Sequence, residues 1–341
     1  MKPILLKDMI EKKIGRGEDS QPISFYNEYL VVLGVFDGMG GAGAAEHPSD
    51  FSTEAGEHKT KAYIGSRIIR QSILDAISEN AEIALNDNFQ DVLKEIITQR
   101  YKAEKDKFPP KSKIGLRSSL IKDYPTTLAL ICLSKESNEY IVDSYWAGDS
   151  RNYLWTSEGL FQVSKDDLQG NLDPLQNLKD DAPMSNCIHA DGPFYINHKK
   201  IKIDCKEKII LISATDGCFA YFDSPMDFEL CLIDTLRKSS NETEWKERLD
   251  DIFKDVTGDD FSFSIGCIGF ENFGEVKKKF KKVRSSLQHY LQTRNNYIDL
   301  FNNKKKMEAL IKSKKEILLT EVDELWPSYK NNYYKYFIEK P

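Results

Sequence analysis

Asp37 stands at the end of an apolar, β-branched run, Tyr29–Phe36, and is followed by Gly38, Gly40 and Gly41. The run reads as a buried strand. The glycines let the chain turn sharply and bring carbonyl oxygens close to a bound ion. A carboxylate at a strand end beside bare backbone suits a hard divalent cation, which prefers oxygen ligands. Alone, an Asp-Gly pair is an ordinary turn, but the pattern recurs. Ile209–Thr215 is a second apolar run ending in Asp216-Gly217, and Tyr145-Trp146-Ala147-Gly148-Asp149 is a third strand-like run ending in an acid. Glu18-Asp19 lies in a polar, glycine-flanked segment, and Asp259-Asp260 precedes the strand-like FSFSIGCIGF. Several strands ending in acids point to one sheet edge carrying a carboxylate cluster, whose like charges repel unless cations neutralise them.

Taken in order, Glu18-Asp19-Ser20, Asp37-Gly38-Met39-Gly40-Gly41, Thr126-Thr127-Leu128, Ala147-Gly148-Asp149-Ser150-Arg151, Ser213-Ala214-Thr215-Asp216-Gly217 and Asp259-Asp260-Phe261-Ser262 resemble the motif set of the metal-dependent serine/threonine protein phosphatases of type 2C, in their bacterial form. The resemblance covers residues 10–272. It implies two bridged ions, Mg²⁺ or Mn²⁺, with Asp37 shared between them. Glu18 and the Gly38 carbonyl would complete one site, and Asp216 and Asp259 the other. Asp259 is preferred to Asp260 because Ser262 falls where the family places Ser or Thr, three residues after its metal Asp. Asp149 would join Asp216 at a third, weaker ion, and Asp19 would stand behind the ligands. Asp37 and Asp216 are the acids on which catalysis would depend. The implied reaction is in-line attack on phosphorus by a water held and acidified between the two ions, with no covalent enzyme intermediate.

The chain departs from the family pattern at four positions. Ile14 occupies the place of the arginine that clamps phosphate, leaving Arg16, Lys13 or Lys12 as replacements, since long basic side chains reach one anion from neighbouring positions. Gly17 stands where bacterial relatives have Asn, Asp167 where relatives often have His, and Met39 where eukaryotic members have His. The metal acids are intact, and the changes bear on phosphate affinity and substrate preference.

These acids need a scaffold. Helical spacing appears over 62–83 and 84–104, and strand-like runs over 126–134, 139–147, 151–155, 160–163, 209–215 and 261–270. Further helices are expected near 225–239 and 242–256. Pro109-Pro110 closes the helical region, residues 42–61 and 105–123 read as loops, and 165–198 as an irregular acidic flap. Helix pairs between strand blocks predict an α+β layered architecture. The resemblance specifies a four-layer α-β-β-α sandwich, two antiparallel sheets flanked by helices, over residues 1–273. His47 and His58 follow the Asp37 motif but suit a hard-metal site poorly.

Residues 274–341 differ in character. From residue 275 the chain carries 16 Lys and Arg against 8 Asp and Glu, a formal +8, leaving −14 for the rest of a chain whose total is −6. Apolar residues from Phe280 to Leu319 recur near helical spacing, and the end is aromatic, which predicts two or three helices in a basic, aromatic-rich extension. Three roles suit it: packing against the catalytic domain, docking a partner protein, or self-association. A basic, aromatic composition is too loose a footprint to predict nucleic acid. Opposite charge also allows the extension to lie over the acids and inhibit them.

No apolar stretch approaches the ~20 residues that span a bilayer. The N-terminus has early acids and no small-residue cleavage site, so it does not read as a signal peptide. The six cysteines show no CxxC spacing and suit a reducing cytoplasm. The expected function is metal-dependent hydrolysis of phosphoserine and phosphothreonine in proteins. The alternatives are a phosphatase-like binding module acting through its cleft and C-terminal helices, and an enzyme for a small phosphorylated metabolite.

Overall fold

The structure, a computed structural model, describes residues 2–46, 59–108, 121–170, 173–179, 182–302 and 308–336. His47, His58, Pro109 and Pro110 lie outside the described residues.

Two antiparallel sheets form the centre. In one, β1 (Ile4–Ile10), β10 (Phe261–Ile268), β9 (Ile209–Ala214), β6 (Arg151–Thr156) and β7 (Gly159–Gln162) lie side by side in that order. In the other the order is β2 (Ser20–Tyr26), β3 (Leu30–Phe36), β4 (Leu128–Glu136), β5 (Glu139–Ala147) and β8 (Asn197–Asp204). Residues of β3, β9 and β10 are buried along their whole length. Both faces of these strands are covered, which is why β3 and β9 read as near-continuous apolar runs; β10 is as fully buried but alternates, with Ser262 and Ser264 between Phe261, Phe263 and Ile265. The alternation reappears in what each residue touches. Val31 and Leu33 join Ile131, Leu133, Leu154 and Leu211 between the sheets. Leu30, Val32 and Phe36 instead face α2 (Lys61–Glu79) and α3 (Phe89–Lys107) through Ile69, Ile73, Leu93 and Ile97. Adjacent residues of a strand point to opposite faces, so one strand serves two cores.

The outer face of the other sheet carries α6 (Pro225–Lys238) and α7 (Glu242–Val256), which completes the four layers that the motif resemblance implied. Helix starts follow ordinary capping chemistry. Thr60, Ser224 and Asn241 each accept a backbone N–H three residues ahead, from Tyr63, Asp227 and Glu244.

Three strands had no counterpart among the expected runs. β1 and β8 are sheet edges, and β8 reads NHKKIKID, with charge on an edge that water can reach. β2 also borders its sheet and contains Pro22. The expected helix over 84–104 is a 3₁₀ turn, Ala81–Leu85, followed by α3, because Asn80 ends α2 and accepts from the Glu82 N–H.

The C-terminal segment forms α8 (Phe273–Phe280), α9 (Ser285–Asn302) and α10 (Glu308–Tyr333). Val276, Phe280, Leu287, Tyr290, Val322, Trp326, Tyr329 and Tyr333 belong to the same core as Tyr153, Trp155 and Phe228 of the sandwich. The Phe280 ring stands 4.8 Å from that of Trp155. Two buried carboxylates of α6 are neutralised from this segment. Asp227 receives Arg294 at 2.8 Å and the Tyr290 hydroxyl at 2.7 Å. Glu229 receives Arg284 at 2.8 Å and the Tyr329 hydroxyl at 2.7 Å.

Candidate metal centre

The strand registers bring the acids to one end of the sandwich. Ser20 pairs with Phe36, Leu128 with Ala147, and Ala214 with both Arg151 and Phe263. Glu18 and Asp19 before β2, Asp37 after β3, Asp149 between β5 and β6, Asp216 after β9 and Asp259 before β10 therefore share one edge. Asp216 opens a single turn, α5 (Asp216–Phe219), and Gly40 opens another, α1 (Gly40–Gly43).

Close backbone approach holds these loops together. A Cβ on Gly40 would stand 1.8 Å from Glu18 Oε2, so only glycine lets the Asp37 loop meet the Glu18 carboxylate. A Cβ on Gly217 would stand 1.9 Å from the Asp260 carbonyl oxygen. We expect Gly217→Ala to displace Asp216 and to lower stability by about 3 kcal/mol, read by denaturant unfolding. A change under about 1 kcal/mol would show that this contact yields easily.

Asp260 acts as a clasp. Its two carboxylate oxygens accept the backbone N–H groups of Lys12 and Glu18, each at 2.7 Å. Asp259 accepts the Asp260 N–H at 2.8 Å and stands at the exposed rim of the acid cluster. Arg67 of α2, which no motif flagged, donates to the Glu18 carbonyl at 3.0 Å and to the Asp19 carbonyl at 2.8 Å. Thr126 donates to the Asp37 carbonyl at 2.6 Å, and Thr127 bonds the Ser150 hydroxyl at 2.6 Å. Arg151 and Asp166 form a buried two-bonded pair at 2.9 and 2.6 Å. Asp167 accepts the Gly148 N–H at 3.0 Å and the amides of Asn186 and Asn197, which ties the flap to the Asp149 turn.

The electrostatics are those of crowded acids. Burial pushes the Asp37 carboxyl well up, and Asp19, Asp216, Asp149 and Asp259 push it further. Burial followed by Asp149 and Asp259 does the same to Asp216. Asp19, buried and accepting the Thr215 hydroxyl at 3.0 Å, is pushed up to about 7 by burial and then by Asp260. Asp149 is pushed up to about 6 by burial and then by Asp166. Burial also raises Glu18 and Asp259.

Two observations test whether this chemistry fits divalent cations. Asp149 Oδ1 is buried with no hydrogen-bond partner, which is costly for a carboxylate oxygen unless something else meets it. Against this, no three acidic, histidine or cysteine side chains among the described residues stand close enough to hold an ion by themselves. Hard cations fill such sites with backbone carbonyls and water, and Mg²⁺ keeps several waters, so an open, oxygen-only donor set fits. Gly38, whose carbonyl is a candidate ligand, is buried and bridged to Thr126.

The candidate phosphate contacts Lys13 and Arg16 lie on the exposed turn just before Glu18, where the Arg16 N–H donates to the Lys13 carbonyl at 2.9 Å. Ile14, between them, is 98% exposed. A cavity of about 140 Å³ borders Asp149 and Asp216, walled by Asp166, Leu168, Asn177, Leu178, Ala182 and Phe219 among others.

No protein-family model and no curated protein matches the sequence. Solved structures do match the fold. The serine/threonine phosphatase PstP/Ppp of Mycobacterium tuberculosis aligns over 79% of this chain and 99% of its own, at 13% identity and a TM-score of 0.52. The serine/threonine phosphatase Stp1 of Staphylococcus aureus aligns over 79% and 95%, at 15% identity and 0.53. A C. elegans sex determining protein aligns over 82% and 68%, at 12% identity and 0.55. This chain therefore has the sandwich fold of the serine/threonine phosphatases that its motifs resemble.

Proposed function

We propose that this chain is a protein serine/threonine phosphatase that hydrolyses phosphoserine and phosphothreonine with Mg²⁺ or Mn²⁺. The observation that carries the reading is the convergence of Glu18, Asp37, Asp149, Asp216 and Asp259, from separate parts of the chain, on one end of a phosphatase-type sandwich. Glu18, Asp37 and the Gly38 carbonyl would hold one cation, and Asp37, Asp216 and Asp259 the other, with Asp149 and Asp216 available to a third. When bound, the cations would supply a shared, acidified water and neutralise charge on the transferring phosphoryl group. The chain's own part is to orient and to hold charge. Asp260 and Arg67 fix the Glu18 segment, Thr126 and Thr127 fix Asp37, and Asp19 keeps a proton or a negative charge behind Asp37. Arg16 and Lys13 are the basic groups nearest in sequence to Glu18 that would meet phosphate oxygens.

One observation favours a binding module instead: the exposed Ile14 at the clamp position supplies no charge to phosphate. Mn²⁺-dependent turnover of an aryl phosphate, abolished in Asp216→Asn, supports the enzyme; no turnover with intact cation binding supports the module. Comparing phosphopeptides with phosphorylated metabolites separates the two substrate classes. We place the protein in a reducing cytoplasm, in keeping with six unpaired cysteines. No described helix is long and apolar enough to cross a membrane. Any partner protein or second copy bound by residues 274–341 would use the outward faces of α9 and α10, where Ile298, Phe301, Leu310 and Ile317 are partly exposed.

The raised carboxyl pKa values set a pH dependence. A carboxyl that holds its proton more tightly when folded favours the fold in acid. That stability is full below the ordinary carboxylate range and is lost as pH rises towards about 7 for Asp19 and about 6 for Asp149. Cation-free protein should therefore lose stability across that window, and Mn²⁺ should restore it. Calorimetry in buffers of different ionisation enthalpy should show more protons released on Mn²⁺ binding at about pH 6 than at about pH 9. Equal release at both would show that these acids are already ionised.

A further inference from the structure

We propose that α10 fastens the flap that walls the acid cavity, with Asp173 as a positioning residue for substrate; the proposal rests on the phosphatase reading above. Asp173 does two things with one carboxylate. Its Oδ1 accepts the Leu175 N–H at 2.9 Å and so starts α4 (Pro174–Asn177), the short flap helix. Its Oδ2 accepts the Trp326 indole N–H at 2.8 Å and the Lys330 ammonium at 2.6 Å, both from α10.

The attachment continues toward the acids. Leu175 is buried in the same core as Trp326 and Tyr329. Asn177, at the end of α4, donates to Asp166 at 3.1 Å, and Asp166 is gripped by Arg151, two residues after Asp149. Asn177 and Leu178 wall the cavity beside Asp149 and Asp216. The flap wall is therefore positioned from both sides, by Arg151-Asp166 at the site and by α10 behind it. A substrate that leans on this wall senses α10, whereas a small phosphate ester held only at the acids does not. The C-terminal extension thus acts on substrate selection from behind the flap, and none of its described residues lines the cavity beside Asp149 and Asp216.

Lys330→Met and the double variant Trp326→Phe/Lys330→Met test this, with Lys330→Arg as the conservative control. Hydrogen exchange over residues 173–179 should quicken about tenfold in the double variant, with α6 unchanged. With Mn²⁺, KM for a phosphopeptide should rise about fivefold, while kcat for an aryl phosphate stays within about twofold. Lys330→Arg should behave as wild type. Unchanged exchange over 173–179, exchange rising equally in α6, or parallel loss of kcat on both substrates would overturn the proposal. If the wild type turns over neither substrate, the phosphatase reading fails, and the exchange result alone decides whether α10 fastens the flap.

Discussion

A chain ending at Phe273 is expected to lose cooperative folding rather than to gain or keep activity. Helices α8–α10 bury Val276, Phe280, Leu287, Tyr290, Val322, Trp326, Tyr329 and Tyr333 against the sandwich. Fully burying one large apolar side chain contributes about 1.5–3 kcal/mol, as an upper estimate. Truncation also returns the facing surfaces of Tyr153, Trp155 and Phe228 to water. A typical domain is stable by only about 5–15 kcal/mol, so a loss on this scale reaches the whole. Asp227 and Glu229 would in addition keep their charge in a partly buried helix without Arg294 and Arg284. Breaking one buried pair costs about 3–5 kcal/mol. Arg284→Met should therefore destabilise the full chain by about 3 kcal/mol, and adding Glu229→Gln should recover part of that loss. Denaturant unfolding with near-ultraviolet dichroism reads both. A soluble, cooperatively unfolding 1–273 fragment would show that the extension is an appendage.

Asp37→Asn is expected to separate activity from stability. As the acid shared by both proposed cation sites, its loss should lower Mn²⁺-dependent turnover by about a thousandfold or more. Loss of a partner behind a ligand already costs about 10–100-fold. Without cations, and at a pH high enough to ionise Asp37, the same change removes one charge from a cluster that repels itself, so the thermal midpoint should rise, by on the order of 2 °C or more. Mn²⁺ should then stabilise the variant less than the wild type. Residues that serve only packing lose activity and stability together. A variant that is both less stable without cations and still stabilised fully by Mn²⁺ would remove Asp37 from the site.

Asp37, Asp149 and Asp216 were legible because each follows an apolar run, and such runs come from strands covered on both faces. Asp37 after β3 and Asp216 after β9 are the clearest cases. β1, β2 and β8 were not legible, because edge strands carry charge or proline and lose the apolar signal. The preference for Asp259 over Asp260 rested on the position of Ser262; that the Asp260 carboxylate accepts the Lys12 and Glu18 N–H groups is a role that only contacts distant in sequence reveal. Arg67 carried no signal, since a single arginine on a helix does not say whose carbonyls it will meet. The apolar stripes of the extension announced a buried face. What covers that face depends on which strand, helix and buried carboxylate stand opposite, and periodicity is silent on that.

The most direct test of the central claim is a count of bound cations. Equilibrium dialysis of the full chain against Mn²⁺ should find two ions per chain at millimolar concentration, and fewer than one in Asp37→Asn with the fold intact. Full-length, folded protein that takes up no Mn²⁺ under those conditions would contradict the assignment of Glu18, Asp37, Asp216 and Asp259 as a cation-holding set.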